Sequence, residues 1–184
     1  MFSGRREEFD RSALVHQASL MRMAMRLCGA RHVADDLVQE TYLDAWRSFH
    51  RFEPGTNCRA WLYKILFFNY TRFRRKQSRE PFLVDIDDAS ESAVRFDPQT
   101  PDALTADSVK AAFERLPEPF HTTVFLVDVE QLTYREASEA LQIPIGTVMS
   151  RLSRGRRLLR VELSAQAAAL GIAAGTQEKG KVKG

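Results

Sequence analysis

Five arginines, Arg151, Arg154, Arg156, Arg157 and Arg160, fall within one short stretch, and no Asp or Glu occurs from Ile143 to Val161. A guanidinium is a planar fork that donates two hydrogen bonds at once, which suits it to a guanine edge or a phosphate. Whether these cations act together depends on what carries them. Val148, Leu152, Gly155 and Leu159 recur at the spacing of a core-facing helical stripe. Thr147, Ser150, Arg151, Arg154 and Arg157 are thereby left on the outer side.

Upstream, Thr133 and Glu136 form a T-x-x-E capping box, in which each side chain satisfies a free backbone N–H of the first turn. A helix is expected from Tyr134 to about Leu141. It stops at Gln142-Ile143-Pro144, after which Pro144 suits the first turn of the next helix. Two short helices across a tight turn are the helix-turn-helix plan. The start of its second helix meets base edges in the major groove, and later cations meet phosphates. A solvated arginine face without a ligand is the plain alternative. The capping box, the turn and the missing acids together favour DNA.

A second cationic set has different company. Seven Lys or Arg lie between Arg59 and Arg79 with no acid among them, interleaved with Trp61, Tyr63, Phe67, Phe68, Tyr70 and Phe73. Unpaired bases stack on aromatic faces for about 1–3 kcal/mol each while cations follow the backbone. The same aromatics can instead be core. Trp61, Ile65, Phe68 and Arg72 form one helical stripe and Leu62, Leu66, Asn69 and Phe73 its neighbour, so about half are expected to be buried.

The elements that position these sets read as helices from about Glu7 to Gln77. Val33, Leu37, Thr41 and Ala45, joined by Val38, Tyr42, Trp46 and Phe49, define a buried stripe. Asp36, Gln39, Glu40 and Leu43 then form an exposed polar strip containing one apolar residue. Pro54, Gly55 and Asn57 mark a loop. From Glu80 to Asp107 eight acids meet the single Arg95, with Pro81, Pro98 and Pro101 and no helical period. This is a linker longer than compact domains usually contain. Helical signals return from Ala106 and fade into a small-residue and basic tail. "TTVFLVDV" has strand propensity but no strand to pair with. The fold class expected is all-α, with two small helical domains joined by a long acidic linker.

Other chemistries lack their residues. Cys28 and Cys58 are not at metal-ligand spacing, His16, His32, His50 and His121 are scattered, and no catalytic triad or phosphate-cradling glycine loop occurs. No catalytic residue, metal or cofactor is therefore expected. The N-terminus lacks the apolar core of a signal peptide and no apolar run is long enough to span a bilayer. A soluble, cytoplasmic protein without membrane insertion is the expectation.

"ADDLVQETYLDAW", "PGTNCRAWLYKI" and "PIGTVMSRLSRGRRLLR", in this order and with the acidic linker between the second and third, resemble bacterial RNA polymerase sigma factors of the extracytoplasmic-function group. The resemblance runs from about Phe9 to Leu163. It implies a region 2 domain over residues 1–80, a linker over 81–105, a region 4 domain over 106–165 and a disordered tail over 166–184. The implied partners are core RNA polymerase, through its clamp coiled coil and flap, promoter DNA, and an anti-sigma factor.

By that resemblance Asp35, Asp36, Gln39, Glu40 and Leu43 would dock on the polymerase clamp. Asn57, Arg59, Trp61, Tyr63, Lys64, Phe67, Asn69, Arg72 and Arg75 would recognise and open the −10 element, holding a base flipped from the non-template strand. Tyr134, Arg135, Thr147, Ser150, Arg151, Arg154 and Arg157 would read the −35 element. The chain departs from the pattern at Phe68, where many relatives carry Asn, with Asn69 one position later. Met149 replaces a frequent basic residue, while "IGTVMSRL.RGRR" resembles the subgroup that answers thiol-oxidative stress under a zinc-containing anti-sigma partner. Two rivals stand beside this reading. A stand-alone regulator would bind a palindromic operator tightly by itself, and a nuclease would need carboxylates clustered beside a basic groove.

Overall fold

The computed structural model describes residues 2–77 and 106–169. The α-helices are α1 (Phe2–Ser12), α2 (Gln17–Cys28), α3 (Arg31–Ser48), α4 (Cys58–Gln77), α5 (Ala106–Glu114), α6 (Glu118–Val124), α7 (Tyr134–Leu141) and α8 (Ile145–Ala169). No strand occurs among the described residues. The linker expected over 81–105 lies outside them, as do residues 170–184. Residues 166–169, assigned from sequence to a tail, instead extend α8.

The N-terminal helices pack around the stripe read from α3. Leu37, Val38, Thr41 and Ala45 are buried against Leu20, Met23, Ala24 and Leu27 of α2 and Leu62 and Leu66 of α4. The Phe9 ring of α1 meets Trp46 and Phe49 edge-on at centroid distances of 5.3 and 5.1 Å, closing the far side. Gly55 turns the loop at a φ of +89°, where a side chain is strained. Asn57 then caps α4, its side-chain oxygen accepting the Ala60 N–H at 3.3 Å. The helix accordingly starts at Cys58, directly after the loop residue Asn57.

In the C-terminal half, "TTVFLVDV" is helical. Thr122–Val124 complete α6 and Phe125–Val129 form a π-helical turn. Gly155 of α8 sits where a Cβ would come within 2.7 Å of Val124 Cγ2 and 3.3 Å of Phe120 Cβ, so its bareness permits α6 and α8 to touch. The capping box of α7 is formed in both directions, with Thr133 N–H donating to Glu136 Oε2 at 2.7 Å and Glu136 N–H to Thr133 Oγ1 at 3.2 Å. Gln142 ends α7 in the left-handed conformation at φ 56°. Pro144 stands just before α8 and caps it through its carbonyl, which accepts from the Thr147 and Val148 N–H groups.

The two halves share one apolar interior. α4 lies against α7, and the Tyr63 ring meets Phe125 of the π-helical turn edge-on at 6.4 Å. Arg26 of α2 donates to the Leu116 carbonyl at 2.7 Å across the same boundary.

Candidate nucleic-acid interface

α8 is held by its buried stripe. Val148, Leu152 and Gly155 are buried and Leu159 half-buried, as the spacing requires. Arg157 is exposed, and Thr147, Ser150, Arg151 and Arg154 are partly exposed along the flank. Tyr134 and Arg135 stand exposed at the start of α7, with Arg135 paired to Glu139 at 3.4 Å. Thr147, Ser150, Arg151, Arg154 and Arg157 share one side of α8 by helical spacing, while Tyr134 interacts with Arg156.

Arg156 departs from the general cationic run. Its Nε donates to Asp128 Oδ2 at 3.0 Å and its Nη2 to Oδ1 at 2.5 Å, a bidentate pair reaching back to the π-helical turn. The same contact raises the Arg156 pKa. Asp128 and Arg156 thus tie α8 to the π-helical turn. Sequence reasoning missed this role, because the partners lie far apart and the strand-like composition of the turn hid its geometry.

α4 is arranged otherwise. Lys64, Arg72 and Arg75 are exposed, and Asn57, Arg59 and Trp61 are half-buried. Trp61 packs on Phe52 at 5.1 Å, and the Asn57 side chain is used in the cap. Tyr63, Phe67 and Asn69 are buried, so in this arrangement none of these three can take a base. The Tyr63 hydroxyl is paired with Ser19 Oγ at 2.6 Å, and burial pushes its pKa up. Neither polar side-chain atom of Asn69 has a hydrogen-bond partner among the described residues. Phe68, the departure noted in the sequence, is 53% exposed and is the aromatic that α4 actually presents.

On α3, Asp36, Gln39, Glu40 and Leu43 are exposed together, and Leu43 is 55% exposed. Asp35 is half-buried and accepts from Arg31 at 3.1 Å. Glu40 pairs with Arg72 of α4, which ties the expected polymerase face to the expected −10 helix. Glu130 was not singled out from the sequence. It is 3% exposed and accepts from Arg22 at 3.4 Å and from Arg59 at 3.3 Å.

Residues 14–80 match the family "Sigma-70 region 2" and residues 106–159 match "Sigma-70, region 4". The chain is 33% identical over 141 residues to "ECF RNA polymerase sigma factor EcfG" of Rhodopseudomonas palustris, covering 77% of each protein. The chain belongs to the extracytoplasmic-function group of RNA polymerase sigma factors. It is a promoter-recognising transcription initiation factor. It is also 35% identical over 160 residues, 83% of its length, to "ECF RNA polymerase sigma factor SigE" of Mycolicibacterium smegmatis, of which it spans 60%. Among solved structures, the sigma factor RpoE in complex with the anti-sigma factor NepR from Bartonella quintana matches with a TM-score of 0.63 and 30% identity, covering 86% of this sigma factor and 98% of that chain. Among the described residues no helix is long and apolar enough to cross a membrane.

Proposed function

We propose that this sigma factor divides initiation among three helices. α3 docks on core RNA polymerase through Asp36, Gln39, Glu40 and Leu43, with Asp35 at the edge of that face. α4 and the loop before it engage the −10 element through Asn57, Arg59, Trp61, Tyr63, Lys64, Phe67, Asn69, Arg72 and Arg75. Tyr63, Phe67 and Asn69 are buried in this arrangement and join that set only once α4 is uncovered or repacked. α7 and α8 read the −35 element through Tyr134, Arg135, Thr147, Ser150, Arg151, Arg154 and Arg157. The polymerase supplies the catalysis, and the sigma factor contributes recognition and no chemistry of its own. It works in the cytoplasm, in a stress response and under an anti-sigma partner.

The observation that carries this reading is the outward face of α3, with Asp36, Gln39, Glu40 and Leu43 exposed side by side while the opposite stripe is buried. An operator-binding regulator has no use for such a face beside a separate DNA reader. Charge complementarity mainly sets specificity and association rate, so reversing it is a direct test. Asp36→Lys with Glu40→Lys is expected to weaken core polymerase binding tenfold or more, about 1.4 kcal/mol, with an unchanged helical circular-dichroism spectrum. Unchanged polymerase affinity would remove this docking face.

A further inference from the structure

Glu130 closes the π-helical turn of the C-terminal half and is 3% exposed, yet both cations that it meets belong to the N-terminal half. Arg22 comes from α2 and donates to Oε1, while Arg59 comes from the first turn of α4 and donates to Oε2. A second acid repeats the pattern farther along α4, with Glu139 Oε2 of α7 lying 3.9 Å from Lys64 Nζ. Two carboxylates from one half therefore meet two cations on the helix face assigned above to the −10 strand.

A carboxylate offers a guanidinium the same pair of acceptor oxygens as a phosphate does, so the two compete for one donor. Between these ion pairs lies Tyr63, which is fully buried, with its ring against Phe125 and its hydroxyl on Ser19. The contact thus occupies the half-buried Arg59 and covers an aromatic ring of the face, while Lys64 stays exposed beside Glu139. It leaves the side of α8 that bears Arg157 exposed.

We propose that Glu130 is an internal competitor for single-stranded promoter DNA: it occupies Arg59 in the free sigma factor, holds the C-terminal half over Tyr63, and must be released before α4 can take a strand. Ion pairs of this kind add little net stability because desolvation offsets attraction, but they fix one arrangement among several. Such a contact is suited to a closure that has to open. The Arg22 side chain is 60% exposed beside a nearly buried carboxylate, so one side of the clasp remains open to solvent. The proposal rests on the reading of Arg59 and Tyr63 as −10 contacts.

The test uses the full chain, a fluorescein-labelled single-stranded oligothymidylate followed by anisotropy, and hydrogen exchange of residues 59–70. Glu130→Gln keeps the shape and removes the charge. Arg22→Ala breaks the same clasp while removing a cation, which by simple charge counting should weaken DNA binding. Both variants are expected to exchange faster over α4 and to bind the oligonucleotide about fivefold or more tightly than the natural chain. A gain in Glu130→Gln alone would be a bulk-charge effect and would overturn the proposal. Unchanged exchange and binding in both variants would also overturn it, leaving the −10 reading intact. Faster exchange without tighter binding would overturn it together with that reading, and an Arg59→Ala holoenzyme that opens promoters normally would identify the reading as the part at fault.

Discussion

α8 carries its cations along a partly exposed flank, whereas α4 turns Tyr63 and Phe67 inward, with the Tyr63 ring against Phe125 and α7 packed on the helix. Both helices carry basic residues, but α4 interleaves them with aromatic rings and α8 carries none. In the proposed division of roles, the difference lies in what each helix needs before meeting DNA. A major-groove reader acts on an intact duplex and can be displayed permanently. A strand-gripping face is useful only when bases are unpaired, and exposed aromatic surface costs apolar contact with water until then. On that reading, the Phe125 contact keeps the Tyr63 ring covered until strands are open.

Truncating neighbouring aromatics of α4 separates a covered ring from a displayed one. Phe67→Ala should cost about 3–5 kcal/mol of stability, the usual range for a buried ring. Phe68→Ala, one position on and 53% exposed, should change stability by no more than about 0.5 kcal/mol while lowering promoter opening by the holoenzyme. Denaturant unfolding and permanganate footprinting read the two effects. A Phe67→Ala loss as small as that of Phe68→Ala would mean that α4 is not covered on the Phe67 side.

A smaller effect separates the regions by pH. His121 of α6 is 3% exposed, lies between Phe113 and Phe125, and has no hydrogen-bond partner for either ring nitrogen among the described residues. Burial first, and then the Arg26 charge, lower its pKa from 6.5 to about 4. The fold therefore favours the neutral ring. Above pH 6.5 the unfolded chain is neutral there as well, and the full stability is present. As pH falls from 6.5 towards about 4 the unfolded chain takes up a proton that the folded chain resists, and stability is lost. The loss is roughly 3 kcal/mol over that window. His121→Leu should flatten that part of the stability profile in urea titrations. A profile identical to that of the natural chain would show that His121 is solvated.

Much of α3 and of the helix-turn-helix was legible, because their signals are local. The Leu37, Thr41 and Ala45 stripe needs only helical period, and the Thr133–Glu136 box needs only a three-residue spacing. Exposure of Asp36, Gln39, Glu40 and Leu43 followed from the same period. What stayed hidden depends on partners distant in sequence. The burial of Tyr63 is completed by Phe125, and Arg59 and Arg22 meet Glu130 across the linker. No periodicity within α4 distinguishes a ring facing its own domain from one facing the next. The strand-like "TTVFLVDV" became helical because tertiary packing overrides weak β-propensity when no neighbouring strand exists.

In the proposed division of roles, one chain positions polymerase with an open duplex reader and a covered strand-gripping helix. Reconstitution with core polymerase and run-off transcription on genomic fragments tests it most directly, with Arg154→Ala as the comparison. The natural chain should give discrete transcripts only in the presence of core polymerase. Arg154→Ala should reduce those that depend on a −35 element about tenfold to a hundredfold, for a loss of about 1–3 kcal/mol, while binding polymerase normally. Absence of discrete transcripts, or loss of polymerase binding in Arg154→Ala, would contradict the account.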